Sequence, residues 1–319
     1  MKAIRIHEDG GPEVLRYEDA PDPEPGPNEV LVELRAASLN RLDLWLRQGR
    51  PSVPKPRILG ADGAGVLAGT DERVVINPGL EHDGHVRVVG EHTDGTHAEL
   101  IAVPRSAVHP IPGDLSFEEA AAFPLVFETA YRMLVTKAGL EPEEWVLVWG
   151  VGGGVATAAL AIAKALGART VVTSSSDAKL ARARELGADE TLNHERDDIP
   201  ARIRELTGGG VHVVVEHVGE ATWQRTLASA RHGARIVVCG ATSGPNPPAT
   251  LHRIWWRELV VYGSTMGTEA DFQGVCDLIE QGRVRPVVDS VFPLAEARAA
   301  HERMERGEHF GKIVLAIPG

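Results

Sequence analysis

The chain has 319 residues, of which 43% are hydrophobic and 24% are charged, and its formal net charge is −12. A chain of this length is expected to fold as one large domain or two ordinary ones with a substantial core. The acidic balance argues against nucleic acid and anionic membranes as partners, because both require a basic face.

The cysteine content is low, with Cys239 and Cys276 alone. Two cysteines are too few for a disulfide framework or a cysteine-based zinc site, and they fit a reducing cytosol. The N-terminus MKAIRIHEDGG is charged and lacks the apolar segment of a signal peptide, and no apolar run approaches the roughly 18 residues of a membrane span. We therefore expect a soluble cytoplasmic protein.

The first third of the chain has the pattern of β-strands and loops. EVLVELRAASL alternates apolar and polar residues, and ERVVINPG and AELIAVPR are short apolar runs ended by Pro or Gly. A helical region follows in LSFEEAAAFPLVFETAYRMLVTKAGL, where Ser116 and Glu119 have the spacing of a capping box.

From Glu144 onward, strands and helices alternate. The strand WVLVWG leads into the helix GGVATAALAIAKALGA, which ends near Gly167, and TVVTSSS leads into the helix DAKLARARELGA. Further strands are expected at VHVVVEHVG, ARIVVCGA and ELVVYGS. This alternation predicts a parallel sheet covered on both faces. The tail FPLAEARAAHERMERGEHFGKIVLAIPG has a different pattern, which could join it to the first third.

A glycine-rich turn joins the strand WVLVWG to its helix. Glycines there allow a tight turn and close approach of a diphosphate, and the N-terminus of the helix supplies free N–H groups. A strict G-x-G-x-x-G does not fit, but G-x-x-G-x-x-A fits at Gly150, Gly153 and Ala156. Because the turn lies between a buried strand and a helix of small residues, we interpret it as a dinucleotide site rather than a plain tight turn.

The end of the second strand distinguishes NAD from NADP. A carboxylate there would bind the ribose hydroxyls of NAD and repel a 2′-phosphate. This chain has Ser174, Ser175 and Ser176, then Asp177 and Lys179. The hydroxyls can donate to a phosphate and Lys179 adds a positive charge, while Asp177 has an alternative role as the N-cap or first-turn residue of the next helix. We therefore favour NADP(H) over NAD(H).

The sequence resembles the medium-chain dehydrogenase/reductase family over essentially its full length, most closely the quinone oxidoreductase-like members and their zinc-dependent alcohol dehydrogenase relatives. The segments that carry the resemblance are GGPEVL, PGPNEVLVEL, ASLNRLD, ILGADGAG, GTHAEL, the glycine turn, KLARARELGAD, VVCGATSG and FGKIVL. It implies an α/β fold, with a GroES-like catalytic β domain in residues 1–125 and 265–319. A Rossmann domain with a doubly wound parallel sheet would occupy residues 126–264, with catalysis in the cleft between the domains.

The resemblance also bears on zinc. Zinc-dependent members bind their catalytic metal through a Cys, a His and a second Cys, and the aligned positions here are Asn40, Ala61 with Asp62, and Leu125. Ala and Leu cannot ligate a metal, and Asn40 with Asp62 alone would not hold zinc tightly. The four cysteines of the family's structural zinc lobe have no counterparts in this chain. We therefore predict neither a catalytic nor a structural zinc.

The histidine-rich segment INPGLEHDGHVRVVGEHTDG raises a separate metal question. His82 and His85 have H-x-x-H spacing, and His92 or His97 could supply a third ligand. Two imidazoles on a loop make a poor site without that third ligand, so a surface loop that bridges the lost zinc lobe is the favoured interpretation.

Without a metal, the resemblance implies reduction of quinones or α,β-unsaturated carbonyl compounds by NADPH, with a small molecule as the substrate. Asn40 is the candidate for orienting the substrate oxygen, and a structural buried amide is the alternative. Asp43 is expected to play a supporting role rather than to donate a proton. His217 and His92 are candidate acids, although a lone histidine is more often structural.

The residues expected to contact the dinucleotide come from the glycine turn and, by resemblance, from segments on the same edge of the sheet. They are Thr129, Gly150, Gly152, Gly153, Gly154, Val155, Ser174, Ser175, Lys179, Val218, Cys239, Gly240, Ala241 and Ser264.

Two other functions remain open from the sequence: an alcohol or aldehyde dehydrogenase of the same family, and a dinucleotide-binding protein without turnover. A homodimer or higher homo-oligomer is expected, with ELVVYGS as a candidate pairing strand. Trp255 and Trp256 are expected to pack in the core or between subunits rather than to line a substrate pocket.

Overall fold

Two compact units make up the structure, a computed structural model that describes residues 1–82 and 85–319. The terminal unit contains both chain ends, residues 1–125 and 268–319, and the central unit contains residues 126–267. The second boundary lies three residues beyond the position expected from the sequence. The Ser264 N–H donates to the Val238 carbonyl at 2.9 Å, which keeps the segment after Ser264 with the central unit.

The elements are numbered along the chain. The strands are β1 Lys2–Ile6, β2 Arg16–Asp19, β3 Glu29–Ser38, β4 Arg57–Ile58, β5 Asp62–Leu67, β6 Arg73–Ile76, β7 Gly79–His82, β8 His85–Val88, β9 Leu100–Pro104, β10 Val108–Pro110, β11 Trp145–Val148, β12 Arg169–Ser174, β13 Glu190–Asn193, β14 Val211–Glu216, β15 Ala230–Val238, β16 Val260–Gly263, β17 Val288–Pro293 and β18 Lys312–Ala316. The α-helices are α1 Arg41–Arg47, α2 Phe117–Ala121, α3 Pro124–Tyr131, α4 Gly154–Ala165, α5 Asp177–Glu185, α6 Ile199–Thr207, α7 Glu220–Ser229, α8 Leu251–Trp256, α9 Glu269–Glu280 and α10 Ala297–Glu305. A π-helical turn, Arg132–Lys137, continues α3, and short 3-10 turns cover Pro12–Val14, Arg105–Ala107 and Leu294–Glu296.

In the terminal unit, the largest sheet has the order β10-β6-β5-β3-β18-β17, and β9 also pairs with β3. Strand β3 runs antiparallel to both β5 and β18. The register places Ser38, at the end of β3, opposite Asp62 on one side and Val314 on the other. The beginnings of β5 and β18 therefore meet the end of β3, where α1 begins.

In the central unit, the described strands form a parallel sheet in the order β13-β12-β11-β14-β15-β16. Its inner strands are nearly continuous apolar runs, and Val146 to Val148 and Val213 to Val215 are fully buried. Such strands are typical of a sheet covered by helices on both faces. The predicted fold class, a GroES-like β domain plus a Rossmann parallel sheet, is confirmed.

The helical region after Ser116 is divided into separate helices. The predicted capping box is present, because Ser116 Oγ accepts from the Glu119 N–H at 3.2 Å and the Glu119 carboxylate accepts from the Ser116 N–H at 3.0 Å. Helix α2 ends at Ala121, and a new helix starts at Pro124, a residue favoured at the first helical position because its missing N–H is not needed there.

Two features differ from the sequence-based description. Strand β13 was not anticipated, because ETLN is short and half polar. The segment expected as a surface loop forms a hairpin instead, in which β7 pairs antiparallel with β8 and His82 stands opposite His85 in the backbone register. None of the helices in residues 1–82 and 85–319 combines the length and hydrophobicity needed to cross a bilayer.

Candidate functional site

The glycine turn after β11 has the backbone that a bound diphosphate requires. Gly150 and Gly152 have φ values of 63° and 124°, and Gly153 is the N-cap of α4. A Cβ at Gly152 would lie 2.8 Å from Cδ and 3.2 Å from Nζ of Lys179. A side chain at Gly152 would collide with Lys179, so the turn requires glycine there, and the Lys179 ammonium lies beside it. These residues fit the phosphates of a dinucleotide at the N-terminus of a helix.

The loops after β14 and β15 pack against each other at the same edge of the sheet. The Thr242 N–H donates to the His217 carbonyl at 3.2 Å, and the Ser243 N–H donates to the Val218 carbonyl at 2.7 Å. A Cβ on Gly219 would lie 3.1 Å from Cα of Ala241. Because parallel strands end on one edge, the structure brings the predicted residues of these loops together with the glycine turn, at the edge where open α/β sheets bind ligands.

A buried carboxylate that the sequence analysis did not single out orders this edge. Glu216, fully buried at the end of β14, accepts hydrogen bonds from the Val218 and Gly219 N–H groups at 2.8 and 3.0 Å. Its oxygens also accept from the hydroxyls of Thr222 and Thr226, on α7. The carboxylate thus fixes the turn that carries Val218. A glutamate that ends an otherwise apolar strand is the sequence signal that could have identified it.

The serine-rich end of β12 is partly open. Ser174 is buried, and its Oγ accepts from the Ser176 N–H at 3.2 Å, whereas Ser175 is exposed. Ser176 is the N-cap of α5, so Asp177 takes the first-turn position. The Asp177 carboxylate forms a two-point ion pair with Arg196 at 2.6 and 2.9 Å. The carboxylate closest in sequence to the end of β12, that of Asp177, is therefore paired with the guanidinium of Arg196.

Other predicted contacts differ in their exposure. Val155 is half-buried in the first turn of α4, and Gly154 starts that helix. Thr129 lies in α3, away from the strand ends in sequence, and is nearly buried. Ser264, just after β16, is 7% exposed, and its hydroxyl has no hydrogen-bond partner among the described residues.

The contacts of Cys239 and His217 indicate structural roles for these two residues. Burial raises the pKa of the Cys239 thiol to about 12, so this cysteine remains a neutral thiol beside Gly240. The Nε2 atom of His217 lies 2.8 Å from the Trp149 carbonyl, the position of a donated hydrogen bond. The candidate acid His217 is therefore used to fix the backbone before the glycine turn.

A buried polar cluster lies in the terminal unit, where β3, β5 and β18 meet. Asp62 is fully buried, and its Oδ2 accepts hydrogen bonds from Ser38 Oγ at 3.1 Å, Asn40 Nδ2 at 2.9 Å and Lys312 Nζ at 2.9 Å. Its Oδ1 accepts from the Leu125 N–H at 2.8 Å. The Asp62 carboxylate therefore joins the Asn40 side chain to the backbone of Leu125.

Lys312, which the sequence analysis did not single out, completes this cluster. Its Nζ also donates to Asn40 Oδ1 at 2.6 Å. The ammonium requires an acceptor and Asp62 requires a donor, so the contacts fix the orientation of the Asn40 amide. The lysine of the FGKIVL segment was visible in the sequence, but nothing local indicated a partner 272 residues away. The oxygens of Asn40 and Asp62 that could ligate a metal both accept from this ammonium, so the set does not fit a metal.

Asp43 supports the backbone around this cluster. Its Oδ2 accepts from the Asn40 N–H at 2.7 Å and its Oδ1 from the Gly60 N–H at 2.9 Å. Burial raises the pKa of the Asp43 carboxyl, while the nearby His97 ring and these N–H groups oppose the shift. Asp43 therefore holds the start of α1 against the segment before β5.

A pair of buried histidines lies behind Asp43. The rings of His97 and His301 meet edge to face, with centroids 6.2 Å apart, and both residues are fully buried. Burial lowers the pKa of both, of His301 well below 6.5, although Asp43 favours the charged form of His97. Nδ1 of His301 lies 3.2 Å from a guanidinium nitrogen of Arg47, which also pairs with Glu305. Burial therefore favours the neutral form of both histidines.

The histidine-rich hairpin gives no metal site within the described residues. The side chain of His82 lies outside them, and His85 is exposed. Nδ1 of His92 accepts from the Val88 N–H at 3.0 Å, so His92 closes the turn after β8. Among the described side chains, which exclude those of residues 82–84, no group of three His, Cys, Asp or Glu could hold a metal ion.

Known proteins share both units of this fold. An alcohol dehydrogenase GroES-like domain family matches residues 26–113, and a zinc-binding dehydrogenase family matches residues 154–281. The quinone oxidoreductase of Pseudomonas aeruginosa is 34% identical, covering 98% of this chain and 99% of its own. The chain belongs to the medium-chain dehydrogenase/reductase family, as a quinone oxidoreductase-like member. This medium-chain dehydrogenase/reductase is therefore an oxidoreductase.

Two further relatives of this medium-chain dehydrogenase/reductase have different names. A crotonyl-CoA reductase of Streptomyces avermitilis is 31% identical, covering 95% of this chain and 82% of its own. A crystal structure titled as an NAD-dependent alcohol dehydrogenase is 41% identical, with a TM-score of 0.96 and complete coverage of both chains. The names of these relatives therefore give different substrates, an alcohol in one and crotonyl-CoA in the other.

Proposed function

We propose that this protein is an NADPH-dependent reductase of quinones or α,β-unsaturated carbonyl compounds that works without a catalytic metal. The observation that carries the proposal is the Lys312 ammonium, which donates to the oxygens of Asn40 and Asp62 that could otherwise ligate a metal. The names of relatives agree with it, because a quinone oxidoreductase and a crotonyl-CoA reductase both act on electron-poor acceptors.

We assign the dinucleotide to the carboxyl edge of the central sheet. Gly150, Gly152, Gly153 and Gly154 would hold its phosphates, because their backbone is open and α4 begins there. The loop residues Val218, Gly240 and Ala241, with Val155, Thr129, Cys239 and Ser264, would form the rest of its binding surface. When bound, the dinucleotide supplies the hydride.

The choice of NADP(H) rests on charge. Lys179 lies against Gly152, and the carboxylate nearest the end of β12, Asp177, is paired with Arg196. A 2′-phosphate at Ser174 and Ser175 would therefore meet hydroxyls and positive charge rather than an unpaired carboxylate. The arrangement favours NADPH over NADH.

A comparison of the two cofactors tests this choice. We expect the kcat/KM for NADPH to exceed that for NADH, and Lys179→Met to lower it about tenfold for NADPH with little change for NADH. Lys164→Met is the control, because Lys164 pairs with Asp189 elsewhere in the central unit. A strong NADH preference in the unmodified protein would contradict the assignment.

The reaction itself requires a positive environment for the substrate oxygen. Reduction of a quinone or enone adds a hydride to an electron-poor carbon and leaves negative charge on oxygen, which hydrogen-bond donors must stabilise. Asn40 offers the second N–H of its amide for this purpose, and Asp43 keeps the Asn40 backbone in place. We assign these two residues to orientation of the substrate oxygen, directly and through the backbone.

The activity test is NADPH consumption with a panel of quinones, enones, aldehydes and alcohols, with and without a metal chelator. We expect turnover with quinones or enones that the chelator leaves unchanged. The alternative is alcohol dehydrogenase chemistry, favoured by the structural match at 41% identity. Chelator-sensitive oxidation of alcohols would support that alternative. Saturable NADPH binding without turnover on any compound would indicate a binding protein.

We also propose a homodimer that forms through the edge of the central sheet. Strand β16 is an edge strand, and large apolar side chains are exposed on it and on α8. These are Leu251, Trp255, Trp256, Val260 and Val261, between 40% and 66% exposed. Exposed apolar groups of this size beside an unpaired strand edge favour pairing with a second copy. Sedimentation of the protein and of Trp256→Glu tests this, with a monomeric variant expected.

The proposed compartment rests on the cysteine content. The chain has two cysteines, Cys239 and Cys276, and a low cysteine content is typical of proteins from a reducing compartment. We propose the cytoplasm as the site of the reaction.

A further inference from the structure

We propose that Lys312 is a catalytic residue whose ammonium group stabilises the negative charge that forms on the substrate oxygen. This inference rests on the proposed function, because it names the charged group that acts in that reaction. Nothing in the sequence assigned a role to Lys312, and its partners are Asn40, at the start of α1, and Asp62, at the start of β5.

The position of Lys312 is fixed by the backbone on both sides of it. Its own N–H donates to the Val287 carbonyl at 2.8 Å, and the carbonyl of the next residue, Ile313, accepts from the Leu39 N–H at 2.9 Å. Lys312 is only 3% exposed. The Lys312 ammonium therefore has a fixed position at the start of α1, in contrast to the ammonium of a surface lysine.

The hydrogen bonds leave donor capacity on this group. A lysine ammonium has three N–H donors, and two are used, by Asn40 Oδ1 and Asp62 Oδ2. The Asn40 amide has two N–H donors, and one is used by Asp62. Lys312 and Asn40 are hydrogen-bonded to each other, so their remaining donors belong to adjacent groups. Two adjacent donors, one of them charged, make a site for an oxyanion.

The ion pair of Lys312 with Asp62 gives no evident gain in stability over a pair of apolar side chains of the same size. Removing an ammonium from water is costly, and a buried ion pair is often no more stabilising than apolar residues of the same size. Asp62 offsets the charge of Lys312, but the same carboxylate could bind Asn40, Ser38 and the Leu125 N–H without it. A role in charge stabilisation explains why a cation is placed there.

The chemistry balances with this assignment. A hydride supplied by the dinucleotide would form a C–H bond at the β-carbon of an enone. The C=C π pair would then form the new C=C bond of the enolate, and the C=O π pair would move onto the oxygen. The dinucleotide is oxidised by two electrons and the acceptor is reduced by two. The enolate oxygen accepts hydrogen bonds from Lys312 Nζ and Asn40 Nδ2 until a proton from solvent water converts the enolate to product.

The test compares variants that separate charge from packing. Lys312→Met removes the ammonium and keeps an unbranched side chain, but it leaves the buried Asp62 carboxylate without its cation. The double variant Lys312→Met/Asp62→Asn removes both charges. In it the Asn40 amide can turn over and accept from the new amide, so the cluster remains hydrogen-bonded. Lys2→Met is the matched control, because Lys2 pairs with Asp19 on the exposed surface of the same unit.

We expect both Lys312 variants to lose roughly 10²–10³-fold in kcat, with dinucleotide affinity unchanged within about threefold. Lys2→Met should retain the kcat of the unmodified protein. Across a series of quinones, the loss should be greatest for acceptors whose reduced anion is most basic, since these depend most on the positive charge. A purely structural role predicts instead that the double variant regains activity, or that the loss is equal for all acceptors.

A binding measurement does not depend on turnover. The anion of 4-nitrophenol imitates the oxyanion, and we expect the unmodified protein to bind it roughly 10–100-fold more tightly than the double variant does. Equal affinity, or full activity of Lys312→Met, would overturn the assignment of Lys312. Absence of quinone and enone turnover in the unmodified protein, with the nitrophenolate preference intact, would instead reject the proposed function and leave the anion site standing.

Discussion

The glycine turn and the Asp62 cluster are both candidate binding regions, but they are built in opposite ways. The turn of the central unit is defined by missing side chains, with Gly150 and Gly152 at positive φ. The cluster of the terminal unit is defined by crowded ones, with Asp62 and Lys312 both buried and hydrogen-bonded. The turn can bind a ligand through its backbone, whereas the cluster can act only through its few remaining donors.

The difference teaches how each region should respond to change. A site made of backbone tolerates substitutions around it and fails when a side chain is added to it. A site made of a buried ion pair fails when either partner is removed alone, because the other is left as an uncompensated charge. The following changes test that contrast, beginning with the greatest expected effect.

Removal of one member of the cluster should cause the greatest loss of stability. Asp62→Leu leaves Lys312 as a buried cation, so we expect the free energy of unfolding to fall by about 3–5 kcal/mol in urea titrations. Asp19→Asn is the control, because Asp19 belongs to the exposed pair with Lys2 and its loss should cost less than about 1 kcal/mol. If the two changes lowered the free energy of unfolding equally, the buried pair of Asp62 and Lys312 would be no more important for stability than the exposed pair of Asp19 and Lys2.

Addition of a side chain to the glycine turn should affect binding. Gly152→Val places a branched residue at φ 124° and against Lys179, at a strain of order 1–3 kcal/mol. We expect the dissociation constant for NADPH, measured by calorimetry, to rise about 10–100-fold. Gly209→Ala, in open space, should leave it unchanged. A Gly152→Val protein with unaltered affinity would show that the turn does not bind the dinucleotide.

The neutral histidines behind the cluster predict a pH dependence of stability. Burial lowers the pKa of His97 and His301 in the folded state, so the unfolded chain binds more protons below its ordinary histidine pKa of 6.5. Stability should therefore fall as the pH decreases from 6.5, by up to about 1.4 kcal/mol per pH unit for each histidine. The raised pKa of Asp43 acts in the opposite direction, because its burial favours the protonated acid at low pH.

Unfolding in urea at pH 7.0, 6.0 and 5.5 measures this slope. His97→Phe should make it shallower by about one proton, and His232→Gln, at an exposed histidine, serves as the control. A slope that is unchanged in His97→Phe would mean that His97 takes up a proton as readily in the folded chain as in the unfolded one.

The smallest effect is expected at the end of β12. Asp177→Asn releases Arg196 from its ion pair and removes a negative charge close to the serines. We expect a two- to fivefold rise in affinity for NADPH and none for NADH, because an exposed pair is worth less than about 1 kcal/mol. Asp189→Asn, at the Lys164 pair, serves as the control. An equal rise in affinity for NADPH and NADH would contradict the prediction, because it would mean that Arg196 acts on a group that both cofactors share.

The two regions also differ in how well the sequence predicted them. The glycine turn is a local pattern of strand, glycines and helix within about twenty residues, and its physical requirements appear in the sequence directly. The same holds for the capping box at Ser116 and for the alternation that predicted the parallel sheet. By contrast, the strand ETLN, β13, is defined by its pairing with β12 rather than by its own composition.

The cluster could be predicted only in part. ASLNRLD and GADG predicted that Asn40 and Ala61, with Asp62 beside it, occupy positions of metal ligands in zinc-dependent relatives. The partner of Asn40 and Asp62, Lys312, is more than 200 residues away and reaches them through the pairing of β18 with β3. The role of Asn40 also changed in detail. Its amide was expected either to orient the substrate oxygen or to satisfy the backbone of a loop, whereas one of its N–H groups is bonded to Asp62 and its oxygen to Lys312.

One contact of the cluster has a consequence for protein engineering. Asp62 Oδ1 accepts from the N–H of Leu125, the last residue of the first segment of the terminal unit, so the carboxylate paired with Lys312 also holds the chain where that segment ends. Installing cysteine and histidine at the aligned ligand positions would therefore not by itself rebuild a zinc enzyme. Lys312 would have to be considered as well, because Asn40→Cys would remove one of the two acceptors of its ammonium group.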